Sequence, residues 1–314
     1  MNRRTFLASA GAAAATALAP RARAATPGYF PAIDTHTHFY DPTRPQGAPW
    51  PPKTEPVLYR PRYPADFRAQ AAPHRVVGTV VVEASEWVED NQWILDLAKN
   101  DESIVGLVGH LVPGRPEFAT NLARFAANPL FRGLRMRGSY VKDLTDPAAL
   151  ADLKRVADRD LSIDTVGGAA SLPVTLALAR KFPSLRVVID HVPFGDWDAN
   201  PAAMRGPFAE VAKLPNIFAK ISNVVRRVDG KIIDDPAHYR PALDTLVDLF
   251  GPDRVFFGSN WPVSDRIAPY ATLHRVVAEY FASKGAAMAG KYFWRNSHNA
   301  YRWIRRGVAA SLTP

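Results

Sequence analysis

The sequence predicts an α/β fold in which eight strands of a mostly parallel sheet alternate with covering helices. Two observations carry this. Short, strongly apolar, β-branched runs recur along the chain, as in strands covered on both faces. Helix-sized segments, several opened by proline, fall between them. Such a sheet closes into a (β/α)8 barrel or stays open and doubly wound. No Gly-x-Gly-x-x-Gly follows the first strand, which argues against a dinucleotide-binding sheet.

Taken in order, residues 30–35 form a short strand ending in His36-Thr37-His38. Residues 42–64 are rich in proline, which removes backbone donors and blocks helix interiors, so they read as a loop. Strands follow at 76–82, 104–111, 131–137, 161–166, 186–190, 216–221 and 254–257. Helices are expected at 90–99, 116–127, 147–157, 172–181, 201–213, 239–250 and 270–281. A last amphipathic helix at 291–304, bearing Trp294, Tyr301 and Trp303, would cover the wall of the sheet.

The chain has 314 residues, 47% apolar and 22% charged, which is ordinary globular composition with room for a large core. It has no cysteine, so disulfides, thiolate nucleophiles and cysteine-bound zinc are excluded. Arg3-Arg4 precedes an apolar, alanine-rich run, and Ala22-Arg23-Ala24 offers a cleavage site. Residues 1–24 therefore read as a twin-arginine signal peptide, with 25–314 a single domain exported to the periplasm or beyond. Twin-arginine export machinery is thus one expected partner, and no stable membrane insertion is expected after processing. Removing the leader's four arginines from 39 basic residues leaves 35 against 30 acidic ones, a net charge of +5. No basic run is interleaved with aromatics, so nucleic acid is not expected as a partner. Mild positive charge suits a small anionic substrate.

In a parallel barrel the carboxyl ends of the strands open onto one face, where chemistry collects. His36 and His38 stand two apart on an extended segment, so their side chains point the same way. That spacing lets two imidazoles share one metal ion. Asp34 has the same parity and would orient them from beneath. His191 ends the sixth strand and would be a third ligand. Spacing alone leaves open whether the site holds a divalent ion or only polar groups. Arg135 and Arg137 share a parity on the fourth strand, so both should face the interior. There they would pair with Glu83 or Asp164, at neighbouring strand ends, or clamp a substrate carboxylate. Lys220, flanked by apolar residues, should reach a carboxylate or the site. Gly258 lets another group approach the backbone. Trp261 would wall the pocket or cover the barrel core.

These stretches together resemble the amidohydrolase-related (amidohydrolase 2) family, in the branch of sugar-lactone and pyrone-dicarboxylate lactonases. The matching pieces are Ile33-Asp34-Thr35-His36-Thr37-His38-Phe39, Phe131-Arg132-Gly133-Leu134-Arg135, Val188-Ile189-Asp190-His191, Ala219-Lys220-Ile221-Ser222, Phe257-Gly258-Ser259-Asn260-Trp261-Pro262 and Asn299-Ala300. The resemblance implies a distorted (β/α)8 TIM barrel with an added C-terminal helix. It places His36, His38 and His191 in the pocket, with or without a divalent metal such as zinc or manganese. It also implies an aspartate base at the end of the eighth strand, where this chain has Asn260.

An amide cannot accept a proton at neutral pH, so Asn260 would position water or substrate and the base must lie elsewhere. Candidates are His191, one of the paired histidines, or Asp265. A histidine base would make the rate fall below a pKa of about 6 to 7. The fifth strand also ends without a histidine, which leaves three imidazoles for a metal and favours metal-independent catalysis. The reaction the resemblance implies is the opening of a carboxylated or sugar-derived lactone by water. Arg135 or Lys220 would hold the oxyanion and Arg137 a carboxylate, with Glu83, Asp164 and Trp261 also substrate-side. The alternatives are a metal-dependent decarboxylase or lyase, and a binding protein in which Asn260 marks a lost base.

Overall fold

A computed structural model describes residues 30–137, 144–193, 200 and 202–313; the expected leader lies outside the described residues. Seven parallel strands pair in chain order: β1 (Ala32–Thr37), β2 (Val76–Val82), β3 (Ile104–Gly109), β4 (Phe131–Arg137), β5 (Ser162–Val166), β6 (Arg186–Val192) and β7 (Ile217–Ile221). A small antiparallel hairpin, β8 (Arg226–Val228) and β9 (Lys231–Ile233), follows, which the sequence reading did not anticipate. The last barrel strand, β10 (Val255–Phe257), pairs with β7. Every expected strand is present, its ends shifted by two residues at most.

Between β10 and β1 no ladder forms, so the barrel has one unsealed seam. Individual bonds bridge it. The His38 amide donates to the Trp261 carbonyl at 2.8 Å, and the Ser259 amide donates to Asp34 Oδ1 at 2.9 Å. The register slips between Asp34 and Thr37. That slip undoes the expected parity: Asp34 accepts from the Tyr270 hydroxyl and from backbone amides, and orients neither imidazole ring. Burial pushes the Asp34 carboxyl up to about 6 despite these donors.

Helices α2 (Val88–Asn100), α3 (Phe118–Ala126), α4 (Pro147–Asp158), α5 (Leu172–Lys181), α6 (Ala202–Ala212), α7 (Pro236–Phe250) and α8 (Tyr270–Ser283) match the expected ones. Their starts follow local chemistry: Asp146 and Asp235 accept from first-turn amides ahead of Pro147 and Pro236. One helix was missed. α1 (Pro64–Ala71) begins where the proline-rich loop was expected to end, capped by Asp66 accepting from the Tyr63 amide at 2.9 Å. Apolar residues between strands and helices form the larger core, and a smaller cluster fills the barrel interior.

The C-terminal segment is not the wall-covering helix expected. α9 (Ala286–Gly290) runs through a π-turn into α10 (Asn296–Tyr301). These residues close the floor, where strands begin. Arg132 and Arg186, at the starts of β4 and β6, donate to the carbonyls of Tyr301 and Ala300. Asn296 bonds the Val255 carbonyl, and Trp294, Tyr301 and Trp303 join the interior cluster. No helix of the described residues is long and apolar enough to cross a membrane.

Candidate active site

A buried polar column rises through the barrel from this floor. The Tyr301 hydroxyl donates to Asp164 Oδ2 at 2.7 Å. Lys220 Nζ lies 2.7 Å from the same oxygen, 2.9 Å from Asp190 Oδ1 and 3.2 Å from His36 Nδ1. Gly258 makes room for this: a Cβ there would sit 2.9 Å from the His36 Cβ and 3.3 Å from the Lys220 chain. Higher up, Arg135 Nε meets Asp190 Oδ2 at 3.2 Å and its Nη2 meets His191 Nε2 at 3.3 Å. His191 Nδ1 is 2.8 Å from the Ser222 hydroxyl.

Counting donors assigns the protons. A guanidinium only donates, so His191 Nε2 accepts from Arg135 and Nδ1 carries the hydrogen. An ammonium only donates: Lys220 donates to Asp164 Oδ2 and to His36 Nδ1, and forms an ion pair with Asp190 Oδ1. His36 therefore carries its hydrogen on Nε2, a buried atom with no hydrogen-bond partner. His38 Nδ1 lies 3.0 Å from the Val82 carbonyl, which only accepts, leaving a lone pair on Nε2. The Asn260 amide lies 3.2 Å from that Nε2 and also bonds Asn223. The atom facing Nε2 is Asn260 Oδ1, with Asn260 Nδ2 donating to Asn223 Oδ1. A neutral His38 with its hydrogen on Nδ1 is satisfied when both carboxamides are turned over, so that the Asn260 NH2 faces it and the Asn223 NH2 faces Asn260.

The electrostatics agree with neutral imidazoles. Burial, with Arg135 adding, drives His38 down to about 4. Burial takes His191 to about 3; Asp190 opposes it, while Arg135 and Lys220 add to it. His36 is held well below the usual range by burial and Lys220. Burial works against ionising Asp190, but Lys220 above all, with Arg135, overcomes it and holds its pKa well down. Burial raises Asp164 to about 7 even beside Lys220. His191, Asn223 and Asn260 have φ of 61°, 53° and 61°. Left-handed backbone at non-glycine residues costs on the order of 1 kcal/mol each and clusters where strands turn their side chains over a site.

Above the column opens a cavity of about 240 Å³ lined by His38, Trp50, Glu83, Arg135, Arg137, His191, Asn260 and Arg266, among others. A second of about 460 Å³ adjoins it, sharing His191, Val263 and Arg266. The structure thus brings His36, His38, His191, Asn260, Arg135 and Glu83 together, and corrects several placements. Arg137, the last residue of β4, lines the cavity from its rim and not from the barrel interior, half-exposed and paired with Glu86 at 3.2 Å. Lys220 and Asp164 are fully buried in the column, too deep to meet substrate directly. Trp261 is also fully buried, packed on Phe39 and Phe67 behind the seam, and does not line the cavity. Asp265 turns to Arg62 at 3.2 Å, not to the histidines. Sequence reasoning gave no role to Asp190, Asn223 or Trp50. Asp190 stood beside His191 in the same motif; Trp50 was an aromatic in a loop of prolines.

Among the described residues one group could hold a metal: donor atoms of His36, Asp190 and His191 lie within 4.8 Å of one another. Asp190 takes the place expected for His38. Yet Lys220 already holds Asp190 Oδ1 and His36 Nδ1, while Arg135 holds Asp190 Oδ2 and His191 Nε2. A divalent ion would face an ammonium and a guanidinium on its own ligands. As arranged, these residues do not fit a metal.

Residues 33–303 match the amidohydrolase family (Amidohydro_2), and the chain belongs to that family. It is 31% identical over 240 residues to the L-fucono-1,5-lactonase of Burkholderia ambifaria, covering 74% of this chain and 80% of that one. An L-fucono-1,5-lactonase of Burkholderia multivorans is 26% identical over 280 residues, covering 83% and 92%. The barrel superposes on an amidohydrolase of Burkholderia multivorans with bound zinc, with a TM-score of 0.76 at 23% identity over 87% of this chain and 99% of that one. Its TIM-barrel relatives include sugar-lactone and pyrone-dicarboxylate lactonases.

Proposed function

We propose that the protein opens a small aldonolactone by adding water to the ester carbonyl. The observation that carries this is the cavity at the strand ends, where three guanidiniums, two neutral imidazoles, an amide and a carboxylate converge on about 240 Å³. That space suits one sugar ring, and a lining of hydrogen-bonding groups suits ring hydroxyls. Likeness to two L-fucono-1,5-lactonases supports the substrate class. Arg135, only 12% exposed and fixed by Asp190, lines the cavity. It stabilises the oxyanion that forms when water adds. Asn260 and His38 orient the substrate as a hydrogen-bonded pair. The zinc of the Burkholderia multivorans structure is not carried over, because Lys220 and Arg135 engage the donor atoms of His36, Asp190 and His191 in this chain.

The test is a hydrolysis screen of aldonolactones and carboxylated pyrones, with and without chelator, followed by proton release. Turnover of an aldonolactone that survives chelator is expected. No lactone opened above the uncatalysed rate would overturn the reading. Export is a second proposal, resting on the twin arginine alone. Periplasmic material should have the mass of residues 25–314, and an intact 34.5 kDa chain would rule it out.

A further inference from the structure

We propose that Glu83 is the general base of this site, standing in for the carboxylate that the eighth strand lacks. The inference rests on the lactone-opening reading above. Glu83 immediately follows β2, its backbone amide held by the Val108 carbonyl at 2.8 Å. Its side chain is 5% exposed and lines the same cavity as His38, His191 and Asn260. Oε1 lies 3.8 Å from Arg135 Nη1, and Oε2 is buried with no hydrogen-bond partner among the described residues. A buried carboxylate oxygen without a donor is an exception that asks for one, and a water in the cavity supplies it.

The other candidates are engaged. His191 Nε2 accepts from Arg135, and His38 Nε2 meets Asn260. Asp164 and Asp190 each also have an oxygen without a hydrogen bond, but Asp190 is ion-paired with Lys220 and Arg135, Asp164 is sealed between Lys220 and Tyr301, and neither lines this cavity. Among the described residues, Glu83 is the carboxylate that lines this cavity.

Its acidity is suited to the task. Burial raises the carboxyl to about 7; Arg135 and Arg137 from β4 pull it down, while Glu86 and Asp190 push it up. The remaining ionisable groups facing the cavity are His38, His191 and Arg266. A base with a pKa near the working pH is half-ionised yet still basic enough to accept a proton. In the step proposed, the Glu83 carboxylate takes a proton from water as the water oxygen bonds to the carbonyl carbon. The carbonyl π pair moves onto the oxygen facing Arg135. Collapse restores the carbonyl and breaks the bond to the ring oxygen, which takes the proton back from Glu83. One water is consumed, and the acid product ionises into solvent.

The experiment compares native protein, Glu83→Gln, Glu83→Asp and Glu83→Gln/Asn260→Asp on the best aldonolactone from the screen, with kcat and KM measured between pH 5 and 9. Native activity should rise with pH and level off above about 7. Glu83→Gln should lose about 100-fold or more in kcat with little change in KM, together with the inflection. Glu83→Asp should keep an inflection at reduced rate. The double variant, whose carboxylate sits on the eighth strand, should recover part of the loss. Should Glu83→Gln not fold, Glu83→Asp decides: its inflection must move with the carboxylate. A Glu83→Gln enzyme within about threefold of native, inflection intact, overturns the proposal but leaves the lactonase reading standing. A native protein that opens no lactone removes that reading first.

Discussion

Lys220→Met tests the column from its centre. The Lys220 side chain is fully buried and neutralises Asp164 at 2.7 Å and Asp190 at 2.9 Å while donating to His36. Removing one partner of a buried ion pair costs about 3–5 kcal/mol, because the charge left behind is unpaired. Here the cost should sit at the lower end, about 3 kcal/mol, since Asp164 is already raised to about 7 and can shed its charge by binding a proton. The cost should shrink further from pH 8 to pH 6, where Asp164 is protonated in the native state. Urea denaturation at both pH values measures it. The substitution also frees Asp190 Oδ1 and His36 Nδ1, so zinc should raise the melting temperature of Lys220→Met and leave the native protein unmoved. A native protein stabilised by equimolar zinc, or a variant as stable as native at pH 8, would refute the assignment of Lys220.

Glu83→Gln should stabilise the protein at pH 8 while slowing it. The native carboxyl pKa is raised from 4.5 to about 7, so the folded state binds more protons between those values. Its stabilising share is complete below 4.5 and lost as pH rises through 7. At about 1.4 kcal/mol per unit the gain is about 3 kcal/mol at pH 8, vanishing near pH 4, and a pH-independent gain in urea titrations would contradict it. Arg137→Met should leave stability within about 0.5 kcal/mol, since its ion pair with Glu86 is half-exposed. It should raise KM for a carboxylated lactone and not for a neutral one; equal loss on both would mark a structural role. Asn260→Asp should raise His38 from about 4, because a carboxylate beside Nε2 favours the imidazolium. Histidine NMR titration reads that shift, and an unmoved His38 would break the pairing.

The barrel strands were legible because buried parallel strands write continuous apolar runs such as 76–82 and 186–190, which need no partner to be recognised. The elements that escaped have weak local signals. α1 hides behind a run of prolines, and its cap, Tyr63-Pro64-x-Asp66, is a polar detail at the edge of a segment that looks like loop. Hairpin β8–β9 has three-residue strands around Asp229-Gly230, too short for a periodic pattern. The C-terminal aromatics were seen, but wall and floor are equally apolar. Only the arginines at the strand starts, bonding carbonyls of the last helix, decide between them.

The site was legible by residue and not by role, because role here is a matter of who donates to whom across the barrel. His36, His38 and His191 read as a set that wants a metal or titrates near neutrality. Neither follows once Lys220 comes in from β7 and Arg135 from β4 to occupy the donors. Those two cations also explain why the imidazoles stay neutral: burial alone disfavours charge, and a fixed positive neighbour disfavours it again. A set of neutral histidines can position a substrate but is a poor source of basicity at pH 7. With an amide at the eighth strand, the basicity has to come from a carboxylate whose proton affinity burial has raised and whose oxygen remains open to the cavity. Glu83 meets both conditions because β2 ends one residue before it, at the rim, where Arg135 reaches its first oxygen at 3.8 Å and no described residue hydrogen-bonds its second.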